Sequence, residues 1–128
     1  MALLLDTHAF LWWLAGDQKL PRRARTAIAA PDAEVMVSAV SAWEITTKYR
    51  LGKLPGASSI VNDITAAIAS QSFTSLPVTV VHAQRAGLLI GEHRDPFDRM
   101  LIAQARSEDL ILVSNEKLFD AFGVERLW

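Results

Sequence analysis

Four short apolar runs, separated by stretches with helical spacing, constrain this chain more than any other feature. They cover residues 2–5, 34–38, 77–81 and 110–113 and are rich in Leu and Val. Each is too short for a buried helix and long enough for a buried strand. Residues 124–127 are a candidate fifth strand. Near-continuous apolar strands alternating with helices imply a parallel sheet covered on both faces. Right-handed crossovers then put helices on either side of it. The expected fold class is α/β, a three-layer sandwich with a central, mostly parallel sheet of four or five strands. No repeat, low-complexity tract or linker interrupts the pattern, so a single domain over residues 1–128 is expected.

The helical stretches carry their own punctuation. Residues 7–15 are apolar nearly all round and stop at Gly16-Asp17. Pro21 is expected at the first position of a helix that residues 22–30 continue, where its missing N–H costs nothing. A helix over 39–51 stops at Gly52. Its start is marked either by a Ser41–Glu44 capping box or by Ser38 a turn earlier. Residues 58–69 and 82–90 have helical periodicity. Asp95-Pro96 opens the clearest helix, running to about Glu108, with Asp95 as N-cap and Pro96 at the first position. A short helix is expected over 116–122.

Composition removes several function classes. With 51% hydrophobic and 21% charged residues, this is no disordered tail. The absence of cysteine excludes a disulfide scaffold, a zinc–thiolate site, an iron–sulfur cluster and a thiol nucleophile. A formal charge of −1 excludes a strongly basic nucleic-acid coat protein. It leaves room for a local basic face or for bound cations. No stretch approaches the ~20 apolar residues of a membrane span. No basic residue precedes Asp6, so no signal peptide and a cytoplasmic location are expected.

In an open parallel sheet, ligands bind beyond the carboxyl ends of the strands. Asp6 follows the first strand. Ser38 follows the second, with Glu44 about two turns into the next helix. Ser114, Asn115 and Glu116 follow the fourth, and Asp98 lies in the first turn of the Asp95-Pro96 helix. Gathered in one pocket, these acids would stay ionised only with a compensating cation. All-oxygen ligation selects Mg²⁺ or Mn²⁺. Such a site suits metal-assisted hydrolysis of a phosphodiester. Each acid also has a local alternative. Asp6 caps a helix, Glu44 completes a capping box or pairs with Lys48, Asp98 favours a helix dipole, and Glu116 is a first-turn Glu. Spacing leaves these alternatives open.

The blocks LLLDTHAFLWWL, VSAVSAWEITTKYRLGKL, HRDPFDRMLIAQAR and LILVSNEKLFDAFGV, in that order, resemble the PIN-domain ribonucleases. The similarity is to the VapC-type toxins of bacterial toxin–antitoxin modules, and it spans essentially the whole chain. What it implies is a Mg²⁺-dependent endoribonuclease, with Mn²⁺ as a substitute, whose metal and catalytic acids are Asp6, Glu44 and Asp98. Asp98 is chosen over Asp95 because the family acid directly precedes the R-x-L-I-A-Q-A run. The family's last acid is usually Asp in a T-x-D pattern. Here Ser114-Asn115-Glu116 stands in its place, so Glu116 ranks below the other three as a metal ligand. The resemblance further implies an RNA substrate, a cognate antitoxin covering the active groove, a homodimer and no membrane.

Other features have competing readings. His8, His82 and His93 lack the spacing of a paired metal site. Trp12, Trp13, Trp43 and Trp128 are base-stacking candidates at positions that equally suit a core. Arg94 and Arg99 flank the Asp98 region and, with Ser114, are candidates for substrate binding, although Arg99 also suits an ion pair with Asp95. Two further functions compete with the nuclease. One is a PIN-like binding subunit that has lost the chemistry, hinted at only by Glu116. The other is a receiver-type signalling domain, which needs paired acids after the first strand, where this chain has Asp6-Thr7-His8.

Overall fold

The computed structural model of the protein describes residues 1–128. Strands β1 (Ala2–Leu5), β2 (Glu34–Ser38), β3 (Thr74–Leu76), β4 (Ile111–Val113) and β5 (Arg126–Leu127) form one sheet in the order β3-β2-β1-β4-β5. Every neighbouring pair is parallel. Helices α1 (Thr7–Ala15), α2 (Arg22–Ala29), α3 (Ala39–Arg50), α4 (Ile64–Ser70), α5 (Val80–Leu88) and α6 (Pro96–Ser107) make the crossovers. The expected α/β sandwich is therefore the architecture, with five strands.

The pleat divides the core in two. Leu3, Leu5, Val35 and Val37 pack on one face with Phe10 of α1, Ala24 and Ile28 of α2 and Ile68 of α4. Leu4 and Leu112 point to the other face, against Leu101, Ile102 and Ala105 of α6 and Phe119. Strand side chains alternate between faces, so three consecutive leucines serve both cores. Leu3, Leu4 and Leu5 are all fully buried.

Chain order places the site. From β1 the chain steps to β2 and β3 in one direction, then returns to β4 on the other side of β1. A crevice opens between strands where the winding direction reverses, here between the carboxyl ends of β1 and β4. Asp6 and Ser114 stand at those ends, and the Asp6 amide donates to the Val113 carbonyl at 3.1 Å.

Local signals decided three differences from the expected elements. The third strand is Thr74–Leu76, not 77–81, and residues 80–88 are helical. Pro77 has no N–H for a ladder, and Thr79 closes a capping box. Its hydroxyl accepts from the His82 amide at 3.1 Å, while its own amide donates to His82 Nδ1 at 3.1 Å. That cap outweighs the β propensity of Val80 and Val81. Within 58–69, only the part from Ile64 onward is α-helical, because Asp63 caps there by accepting from the Ala66 amide. Pro21 is the N-cap of α2, one position earlier than expected. At α3, Ser38 is the cap, and its hydroxyl accepts from the Val40 amide at 3.0 Å.

Candidate active site

A small cavity of about 190 Å³ lies at the reversal point, lined by Asp6, Thr7, His8, Glu44, Lys48, Asp95, Asp98, Asn115 and Glu116. No apolar side chain contributes to its wall. An apolar cleft beside α1, lined by Leu11, Trp12, Leu14, Leu54 and Ile60 among others, is larger at about 280 Å³. Of these two, only the smaller cavity gathers carboxylates. All four acids singled out from the sequence line it, although they come from the β1–α1 junction, α3, α6 and the segment after β4.

Each acid is held by a different device. Asp6 is buried and caps α1, with Oδ1 accepting from the Ala9 amide at 2.8 Å. Burial pushes its carboxyl up, and the Glu44 charge adds to this; the Ser114 hydroxyl, the Ala9 amide and His8 oppose it. Glu44 is 4% exposed. Its Oε1 accepts from Thr7 Oγ1 at 2.6 Å, and its Oε2 pairs with the Lys48 ammonium one turn on. Thr7 Oγ1 also lies 3.1 Å from Ser41 Oγ. Asp98 Oδ2 meets His93 Nε2 at 2.9 Å. Burial and the neighbouring Asp95 charge raise the Asp98 carboxyl to about 7, with His93 opposing. Glu116 is half-buried at the start of a 3-10 turn, and its Oε1 accepts from the Leu118 amide at 3.1 Å. As placed, no three of the carboxylate and imidazole side chains stand close enough together to hold a metal ion.

The remaining candidates fall into place around the cavity. Ser114 is fully buried, and its hydroxyl accepts from the Glu116 amide at 2.9 Å, which fixes the approach of that acid. Asp95 caps α6 through the Phe97 and Asp98 amides while also lining the cavity. Arg94 and Arg99 do not line it. They border an adjacent polar depression with Gly91, Glu92 and His93. Arg99 makes no pair with Asp95. Its guanidinium donates to the carbonyls of Ala86 (3.2 Å), His93 (2.9 Å) and Leu89, which ties the loop before α6 to the end of α5.

The histidines have separate roles. His82 is buried and bonded through Nε2 to Glu108 at 2.8 Å. His93 supports Asp98, and His8 sits exposed at the cavity wall. Trp12 packs on Trp128 and Trp13 on Phe73. Trp43, 61% exposed, meets the edge of Phe97.

Sequence reasoning did not single out Thr7 or His93 as site residues, and named Asn115 only as a polar residue at a strand end. Thr7 had one available signal, a hydroxyl beside the strand-end acid. The bond from His93 to Asp98 bridges a Pro-containing turn and leaves no periodic signature.

Several solved structures of toxin–antitoxin proteins share the fold. VapBC2 from Rickettsia felis bound to a promoter DNA fragment matches with a TM-score of 0.68 at 16% identity, covering 99% of this chain and 98% of that one. VapC20 from Mycobacterium tuberculosis, described as a sarcin–ricin loop cleaving toxin, matches at 0.63 and 19% identity, covering 95% of both chains. A toxin–antitoxin complex from Klebsiella pneumoniae matches at 0.68 and 19% identity, over 98% of this chain and 96% of that one. No curated protein sequence matches. The family model described as "PIN domain" matches residues 3–125, nearly the whole chain, with the acid-lined cavity inside the matched span, and the chain therefore belongs to the PIN domain family.

Proposed function

We propose that this PIN domain, a single unit over residues 1–128, is a divalent-cation-dependent endoribonuclease and the toxin of a toxin–antitoxin pair. One observation carries the reading. Asp6, Glu44, Asp98 and Glu116, scattered along the sequence, line one cavity with no apolar wall. Family membership makes a nuclease the natural use of such a cavity, and the sarcin–ricin loop cleaving toxin shares the fold.

The donor set fits a hard cation. The acids offer only oxygen ligands, and no thiolate exists in the chain. Burial of Asp6, and the burial of Asp98 beside the Asp95 and Glu44 charges, disfavour the ionised carboxylates, which a divalent cation would reverse. Asp6, Glu44 and Asp98 would hold Mg²⁺ or Mn²⁺, with Glu116 completing the set from the rim. Bound there, the ion supplies electrostatic stabilisation of a phosphodiester undergoing hydrolysis and makes water easier to deprotonate.

The chain's own groups do the positioning. Thr7 orients Glu44 through Oε1, His93 orients Asp98 through Oδ2, and Ser114 fixes the backbone from which Glu116 projects. Arg94, exposed beside the cavity, is the candidate phosphate contact on the RNA. The carbonyl bonds of Arg99 make it a loop anchor in this reading. An antitoxin protein that covers the cavity, a homodimeric assembly and a cytoplasmic location complete it. No helix is long and apolar enough to cross a membrane.

The test is RNA cleavage by the purified protein with Mg²⁺ or Mn²⁺ and with excess chelator. Cleavage that needs the cation and disappears in folded Asp98→Asn supports the reading. Undiminished cleavage in that variant overturns the assignment of the site. Cation binding without any cleavage favours a PIN-like binding subunit.

A further inference from the structure

Lys48 is the one lysine in the wall of the acidic cavity. It lies one helical turn after Glu44, on the same face of α3, and its ammonium pairs with Glu44 Oε2. Glu44 is itself buried, whereas the Lys48 side chain is 30% exposed, so the ammonium reaches inward from the rim. Burial pulls the Lys48 ammonium down, but the Glu44 hydrogen bond and the Glu44, Asp95 and Asp98 charges outweigh it, and the net shift is upward. Lys48 shares the cavity wall with Asp95 and Asp98, although it touches only Glu44.

The two oxygens of Glu44 are divided between unlike partners. Oε1 is held by Thr7, a neutral donor that leaves the carboxylate charge uncompensated. Oε2 is held by the cation. A divalent ion that binds Glu44 through Oε2 must share that oxygen with Lys48 or displace it, and through either oxygen it must approach a like charge. The rim position gives the flexible lysine stem a route to solvent.

We propose that Lys48 is a resident monovalent cation of the cavity, holding Glu44 in place and competing with the divalent ion for its Oε2. This rests on the metal-dependent reading of the site. In this role Lys48 is a positioning residue. It keeps a buried carboxylate compensated in the absence of metal and sets a threshold concentration for metal occupancy.

The experiment compares the full-length wild type with Lys48→Met and Lys48→Arg, by calorimetric titration with Mn²⁺ alone and by thermal melting in chelator. The Lys48→Met variant should melt at a lower temperature in chelator, because Glu44 loses its only charged partner. It should also bind Mn²⁺ about tenfold more tightly, the effect of one unit charge a few ångströms from a divalent ion when water screens most of the field. The Lys48→Arg variant should keep the wild-type affinity. Glu44→Gln, introduced both alone and together with Lys48→Met, should abolish the difference in melting temperature that Lys48→Met otherwise causes. Equal or weaker Mn²⁺ binding by Lys48→Met, with the wild type binding normally, overturns the competition. A flat titration for the wild type overturns the metal reading itself and the competition with it.

Discussion

Thr7 Oγ1 donates to Glu44 Oε1 at 2.6 Å, joining the first residue of α1 to the second turn of α3 inside the protein. Both residues are buried, so little water is at hand to replace the bond if it is lost. Thr7→Val keeps the shape and removes the donor. It should cost about 1–3 kcal/mol in urea unfolding, the range for a buried polar group left unsatisfied. Thr7→Ser should recover most of this. The same pair of variants should rank in the same order for RNA cleavage, because Glu44 would lose its orientation in the first and keep it in the second.

Asp98 provides a pH test. Its carboxyl, near 3.8 in the unfolded chain, is raised to about 7 in the folded protein by burial and by the Asp95 charge. Between those values the folded state binds the extra proton. The stability contributed by this group is complete below about pH 4 and is lost as pH rises through about 7. Thermal melts in chelator should therefore decline over that window, and Asp98→Asn should flatten the difference. Metal binding should strengthen over the same window, because it needs the carboxylate. A wild-type profile that matches the Asn variant at every pH would count against this account.

Neutralising one of the acids proposed to hold the metal should separate stability from activity. Asp6 is disfavoured as an anion mainly by burial and further by Glu44. Asp6→Asn should melt at or above the wild-type temperature in chelator, while Mg²⁺ no longer raises its melting point. Cleavage should fall below detection. Glu116→Gln should lose less activity than Asp6→Asn, since Glu116 lies at the half-buried rim and its Oε1 already accepts from the Leu118 amide.

Gln104 predicts a purely structural effect. Fully buried in α6, it accepts from Ser38 Oγ at 2.5 Å and donates to the Pro77 carbonyl at 3.2 Å. It thereby pins α6 to the carboxyl ends of β2 and β3. Gln104→Leu strands the Ser38 hydroxyl and should destabilise the fold by about 1–3 kcal/mol in urea unfolding. Mn²⁺ affinity, measured on the folded fraction, should change little.

Short-range physics wrote much of this protein into its sequence. The apolar runs of β1, β2 and β4, the Asp95 cap with Pro96 behind it and the Glu44–Lys48 pair all depend on residues within a turn or a strand of one another. The block pattern likewise carried the family resemblance. Local rules failed at 77–81, where a capping box at Thr79 redirected a β-branched run into α5. What the linear chain could not fix was which groups meet. The reversal between β1 and β4 gathers Asp6, Glu44, Asp98 and Glu116 around one cavity. Thr7 on Glu44 follows from that gathering, whereas His93 on Asp98 and the diversion of Arg99 to three carbonyls come from how the segment between α5 and α6 folds back on itself. Spacing specifies helices and strands, because their hydrogen bonds and side-chain neighbours are local. The field at a carboxylate is set by whatever the fold packs beside it, and only the tertiary structure decides that.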